Sequence, residues 1–201
     1  MTDPSLQSKP AIKRLLLLLA LAGAVMTQSG CIVIGLSRSE HSLVDTFSGD
    51  PNIVGSYAGQ GFEKSWDGHG FETRSGSAGD AFRTERFSIS CDTFTLAKES
   101  GGGLVIQFHS DGAKDRVLRF SPGRDMTVGT RYISLKLDRV PNPGSEAISE
   151  TAELLLAKDK RGNLQIVEID DVKTMTGVGI PLIPAEGKSA TQYTFASIPA
   201  R

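Results

Sequence analysis

Between Gly49 and Gly79 the chain places eight glycines, at 49, 55, 59, 61, 68, 70, 76 and 79, among Tyr57, Phe62, Trp66 and Phe71. So much glycine excludes a helix, and so many aromatics exclude a disordered linker. Short strands joined by tight turns, with aromatic rings lying over glycine backbones, satisfy both constraints. Tyr57, Trp66 and Phe71 are the candidate ligand-facing aromatics of this stretch. Ordinary core packing is the plainer reading, since aromatics are normally buried for their area alone.

Further on, alternation carries the argument. Phe87, Ile89 and Cys91 share a face, and Phe94 and Leu96 continue it after a one-residue phase shift, which predicts a turn or bulge near Asp92. Gly101 to Gly103 break the chain without the GK[ST] of a phosphate loop. Leu104, Ile106 and Phe108 form a strand that returns through Ser110-Asp111-Gly112 to Val117–Phe120, a hairpin. Ile133, Leu135 and Leu137 face inward while Tyr132, Ser134, Lys136 and Asp138 face outward.

The stretch Ser145 to Asn163 carries helix signals, with acidic residues early, Lys158, Lys160 and Arg161 late and Gly162 as a stop. Yet Leu154, Leu155, Leu156 and Ala157 spread around a helical wheel and leave no apolar stripe. As a strand, Ala152, Leu154 and Leu156 share a face, and Asp159–Asn163 turns the chain into Leu164–Ile169. A hairpin is therefore predicted there. Pro181 and Pro184 are assigned to a loop, and Gln192–Ile198 to the last strand. With turn signals every 8 to 12 residues, the expected fold is all-β: a single antiparallel β-sandwich or barrel-like domain of about eight to ten strands.

At the N-terminus, Lys9, Lys13 and Arg14 precede an apolar run from Leu15 to Met26. As a helix this run spans about 18 Å, short of the roughly 30 Å hydrocarbon core, so it reads as a secretory signal and not a membrane span. Ser29, Gly30 and Cys31 follow, and this ending resembles the lipobox of bacterial lipoprotein precursors. The resemblance covers the leader only. It implies cleavage before Cys31, a diacylglycerol on its thiol and acylation of the new amino group. Ile32 after the cysteine, in place of Asp, implies the outer membrane of the cell envelope. Two or more acyl chains hold a protein on a membrane stably, where one does not. Cleavage after Ala24 is the alternative, with Ala22 and Ala24 as small residues; the product would be periplasmic or secreted, and Cys31 would be free to form a disulfide with Cys91. The expected organisation is a leader over 1–30, a lipidated cysteine and tether over 31–50, the latter read as a tether or a loosely held first strand, and the β domain over 51–201.

Past Cys31, 170 residues remain, enough for one domain. The leader takes three of 22 basic and one of 23 acidic residues, leaving a net charge of −3. No basic surface is implied, so nucleic acid is set aside as a partner. His41, His69 and His109 stand apart with no metal-binding spacing, and no metal or other cofactor is expected. No G-x-S-x-G elbow occurs. Asp67-Gly68-His69-Gly70, near Glu63, is the first place to look for a reactive loop, although Gly-His-Gly is more often a turn. With Cys31 lipidated, Cys91 reads as a buried inert thiol. The leading expectation is a membrane-anchored, non-enzymatic envelope lipoprotein holding a protein partner on a β surface or sheet edge. A small hydrophobic-ligand carrier, with a barrel lined by Tyr57, Trp66 and Phe108, is the second. An envelope hydrolase with a convergent carboxylate pair is the third.

Overall fold

The computed structural model describes residues 32–84, 90–112, 114–139, 147–176 and 183–199. The leader, Cys31, Phe87, Ile89 and Pro181 lie outside the described residues, and with them the lipidation and cleavage expectations. Thirteen strands and two short helices are present among the described residues. Two sheets face each other as a sandwich, and neither closes into a barrel.

The chain opens with β1 (Ile32–Ile34) and helix α1 (Arg38–Asp45). Strands β2 (Gly55–Ala58), β3 (Gln60–Trp66) and β4 (Phe71–Ser77) follow, then a single helical turn, α2 (Ala78–Ala81). Next come β5 (Thr93–Lys98), β6 (Leu104–His109), β7 (Arg116–Phe120), β8 (Met126–Val128) and β9 (Ile133–Arg139). The long strands β10 (Ala147–Lys158), β11 (Leu164–Thr176) and β12 (Ile183–Phe195), with the short β13 (Ser197–Ile198), complete the fold.

The larger sheet runs β4-β3-β12-β11-β10-β9-β8, with β1 added to β12 in parallel; the smaller runs β13-β2-β5-β6-β7. Every other strand pairing among the described residues is antiparallel. The chain passes between sheets at Gly59, whose N–H donates to the Asp92 carbonyl at 2.8 Å. A Cβ at Gly59 would collide with the Cys91 carbonyl, so this corner admits only glycine. Gly61 lies against the Phe195 ring in the same way, so aromatic cover of glycine backbone is present, supplied by a strand far along the sequence.

The core fills the space between the sheets. Phe94 sits at its centre, 5.7 Å from Phe82, 6.0 Å from Phe108 and 5.3 Å from Phe195 between ring centroids. Ile106, Leu135, Leu154, Leu156, Leu164 and Ile166 close around these rings. A second cluster lies on the outer face of the larger sheet, where Phe47 covers Leu155, Ala157 and Val167. Leu154 and Leu155 are thus both buried, on opposite faces, which explains why Leu154–Ala157 reads as a continuous apolar run.

The hairpins expected at 104–120 and at 152–169 are present, the second longer than its sequence signal. Three expectations change. The strand number exceeds eight to ten. Pro184 stands within β12, opposite Met175, near the start of the strand where proline is tolerated. Over 32–50, where a tether or a loosely held first strand was expected, the chain carries β1 and the docked helix α1. Ser37 and Glu40 close a capping box, with the Ser37 N–H donating to Glu40 Oε2 at 2.8 Å and the Glu40 N–H to Ser37 Oγ at 3.2 Å. Glu40 Oε1 then accepts the Ala190 N–H at 3.1 Å. That donor lies on the edge of β12 between the stretches paired by β1 and by β3. Burial pushes the Glu40 carboxyl up, but the hydrogen bonds from Ser37 and Ala190 outweigh it and hold the group below its ordinary value.

Candidate functional site

The hairpin β3–β4 stands at one end of the larger sheet, with β4 as its last strand among the described residues. Its two faces are reversed from the usual pattern. Inward points Glu63, 6 % exposed; outward points Phe62, 66 % exposed. Alternation along a strand sends these neighbours to opposite faces, so burying one exposes the other. A buried carboxylate and a projecting phenyl ring each run against solvation, so the arrangement is informative where a lone exposed leucine is not.

On the outward face Phe62 is joined by Lys64 and Trp66 and, across the ladder, by Ser75, Thr73 and Phe71. Trp66 and Phe71 meet edge to face, with centroids 5.2 Å apart. Lys64 Nζ stands 4.4 Å from the Phe71 ring centroid, a cation–π contact that holds the ring in place. The result is a small aromatic platform with one ring projecting from it, beside the exposed strand β4.

Inward, Arg74 donates to Glu63 Oε1 through Nε at 2.9 Å and Nη2 at 2.5 Å. Tyr193 lies opposite Glu63 on β12 and hydrogen-bonds Glu168 on β11. Burial, followed by the nearby Glu168 and Glu63 charges, pushes the Tyr193 hydroxyl far up, so it stays protonated and can donate. From there the polar residues continue along the inner face to Arg139, whose side chain is 2 % exposed. Arg139 contacts Glu168 through Nη2, Asp170 at 2.5 Å and Glu150 at 3.5 Å through Nη1, and the Arg83 carbonyl through Nε at 3.0 Å. Arg83 closes the cluster by pairing with Glu150. Two guanidinium groups therefore meet three carboxylates. Burial, followed by the Asp170 charge, raises Glu168 to about 7 against the opposing pull of Arg139. Burial likewise raises Asp170, again opposed by Arg139. Around Arg139 burial favours the neutral form, but the three carboxylates outweigh it and raise its pKa.

The aromatics singled out from the sequence do not share one surface. Trp66 and Phe71 meet on the outer face of the larger sheet, whereas Tyr57 is sealed in the core of the smaller one. The Tyr57 hydroxyl donates to the Ile53 carbonyl at 2.7 Å, its ring packs in a tilted contact with Phe94 at 5.5 Å between centroids, and burial raises its pKa to about 12. Tyr57 is therefore withdrawn as a ligand-facing residue, because its face of β2 is covered by the opposite sheet. Phe108 is buried with it, so Tyr57, Trp66 and Phe108 do not line a common cavity.

The Asp67–Gly70 run is a tight turn: Asp67 Oδ1 accepts the N–H groups of His69 at 2.8 Å and Gly70 at 2.7 Å. Those hydrogen bonds, that of Gly70 foremost, hold the Asp67 carboxyl below its usual range. Glu63, the nearby carboxylate, points to the other face of the hairpin. His109 pairs with Asp115 at 2.9 Å. Cys91 is buried, and burial with the neighbouring Asp92 pushes its thiol up to about 11, far from thiolate reactivity. Among the described residues no three His, Cys, Asp or Glu side chains converge to hold a metal ion. Among the described residues no helix is long and apolar enough to cross a membrane.

The sequence reading missed Phe62 as a surface residue and the Arg139 cluster altogether. Phe62 alternates with Lys64 and Trp66, which is the signal for a shared face. The cluster has no local signal, because its members come from separate strands. An apolar groove of about 270 Å³ lies at the other end of the sandwich, between Leu104, Met126, Val128 and Ile133. No family model matches the chain, no curated protein matches it, and no solved structure matches it.

Proposed function

We propose that this protein is a membrane-anchored envelope lipoprotein, tethered through Cys31 to the outer membrane, that holds a protein partner on the outward face of β3–β4. The observation that carries the docking surface is the reversed hairpin, with Phe62 projecting beside Trp66 and Phe71 while Glu63 is buried behind it. Exposed aromatic anchors on a rigid sheet are the side chains from which protein interfaces draw most of their binding energy. The partner fitting this face supplies apolar side chains over Phe62 and Trp66, and its backbone can add to the edge of β4. The anchor rests on the resemblance of the leader to lipoprotein precursors.

A non-enzymatic role is favoured over hydrolysis by what surrounds the three carboxylates. Glu150, Glu168 and Asp170 are each paired with a guanidinium, and a hydrolytic acid pair needs space for substrate between its members. The carrier reading is disfavoured because Tyr57 and Phe108 are packed in the core while Trp66 lies on the outer face of the larger sheet, so the three do not line one barrel interior.

The test places a photo-crosslinking side chain at Phe62 in the full-length protein in cells, with the same group at Lys160 in the β10–β11 turn as the control. A discrete adduct from position 62, absent from 160 and lost when Trp66→Ser is added, is the expected result. No adduct at 62, or equal adducts at both, overturns the docking surface. Intact mass of the membrane-extracted protein, compared with Cys31→Ala, tests the anchor. The expected mass is that of residues 31–201 carrying a diacylglycerol and an acyl chain.

A further inference from the structure

The lipidated cysteine of the proposed function would adjoin the folded domain with no slack between them. β1 begins at Ile32 and is held by β12 through the pairs Ile32 with Ala185, Val33 with Glu186 and Ile34 with Gly187. The chain then enters α1, pinned by its capping box and by the hydrogen bond from Ala190 to Glu40. A fully extended tether over residues 32–50 would reach about 60 Å. One peptide bond joins Cys31 to Ile32, the first residue of the paired strand, and such a bond spans about 3.8 Å between Cα atoms.

Where β1 pairs decides which part of the domain that step leads to. β12 runs from Ile183 to Phe195, and β1 occupies its beginning, on the same edge that β3 occupies nearer its end. Thr174, Lys173 and Val172 of β11 stand opposite Ala185, Glu186 and Gly187, so they belong to the same end of the larger sheet. Ile34 is 62 % exposed there. The β10–β11 turn at Asp159–Asn163 is at the opposite end, about ten residues and ~33 Å away along the strand.

We infer that the domain sits directly on the bilayer, end-on, with the β1 end of the larger sheet, Ile34 and Lys173 included, against the lipid headgroups and the Asp159–Asn163 turn farthest from them. This rests on lipidation of Cys31. Seated so, Ser65, paired with Thr191, stands about 20 Å above the level of Ala185, and Phe62, paired with Thr194, about 30 Å above it. The aromatic face is then presented sideways at fixed height, to a partner that itself stands at the membrane. A flexible tether would sweep that face through all orientations.

The experiment uses the full-length lipidated protein, purified from membranes and placed in phosphatidylethanolamine and phosphatidylglycerol vesicles carrying a headgroup nitroxide. One version bears a fluorophore on Lys173→Cys and another on Lys160→Cys; the buried Cys91 thiol stays unlabelled in the native protein. Intact mass of each sample establishes the lipid on Cys31. The expected result is quenching several-fold stronger at 173 than at 160. A Gly/Ser insert of roughly 16 residues between Cys31 and Ile32, reaching about 20 Å, should collapse most of that difference. Equal quenching at the two positions in protein whose mass carries the lipid overturns the seating and leaves the lipoprotein reading intact. A mass without lipid overturns both.

Discussion

The two faces of the β3–β4 hairpin obey opposite rules. Behind the strands, the buried carboxylate of Glu63 joins Tyr193 and the Arg139 cluster in a polar layer, with the largely exposed Arg74 closing it at the sheet edge; in front, Phe62 projects into solvent beside the half-buried Trp66 and Phe71. Alternation alone cannot say which face turns inward. That choice falls to the rest of the sheet, whose inner face changes character along its strands. Toward one end it is apolar, with Ile133, Leu135, Leu154, Leu156, Leu164, Ile166 and Phe195; toward the other it carries Arg139, Glu150, Glu168 and Asp170, with Tyr193 between. Glu63 completes that polar layer, and the aromatics are left outside. Buried charge here specifies an arrangement and need not stabilise it, because desolvation offsets much of the attraction.

The largest effect is expected at Arg139. Arg139→Met leaves Glu150, Glu168 and Asp170 facing one another without their shared cation, and removing one partner of a buried ion cluster costs about 3–5 kcal/mol. Urea denaturation at neutral pH reads it directly. Adding Glu168→Gln to that variant should restore part of the loss, since it removes one of the stranded charges.

Glu168→Gln by itself separates the polar layer from the rest of the fold by pH. With its pKa raised to about 7 in the folded protein and the ordinary carboxylate value unfolded, Glu168 costs nothing when protonated in both states. As pH rises from about 4.5 through 7 it must ionise in place, so stability is lost across that window. The variant should be more stable than the parent at pH 8, by roughly 1–3 kcal/mol, and show a flatter profile between pH 5 and 8. A parent profile that rises over this range would contradict the assignment.

Glu40→Ala removes the capping box and the acceptor for Ala190, at a cost of about 1–2 kcal/mol. Its pH dependence runs the other way from that of Glu168. The folded pKa is lowered, so the contribution of Glu40 is present above the unfolded value and fades as acid protonates it. Amide hydrogen exchange should show the Ala190 N–H losing protection first.

The smallest stability effect is expected in front of the hairpin. Phe62→Ser should change the unfolding free energy by less than about 0.5 kcal/mol, because the ring is mostly in water already. Its consequence should be functional, the loss of partner capture. Set beside Arg139→Met, it tests whether the inner layer maintains the fold while the outer face does the binding.

Much of the fold was legible in the chain. The alternation of Ile133, Leu135 and Leu137, the glycine turns and the wheel-spanning leucines at 154–156 each pointed to strands, and those strands are present. Helix α1 was not read from the chain, where 32–50 passed for a tether or a loose first strand: its few apolar residues make no periodic stripe, and the Ser37-x-x-Glu40 capping box was its one overlooked signal. The outward pairing of Trp66 and Phe71 followed from the hairpin turn, whereas the burial of Tyr57 depended on which sheet β2 joined.

Residue types and their spacing, by themselves, determined that this chain makes strands, where the turns fall and which side chains share a face, because these are properties of a backbone with a period of two. Only the tertiary structure decided which face is covered, since burial needs a second sheet whose position no single strand encodes. Arg139, Glu150, Glu168 and Asp170 show the difference most directly. They lie up to 31 residues apart, and they became a cluster only when three strands were laid side by side in register.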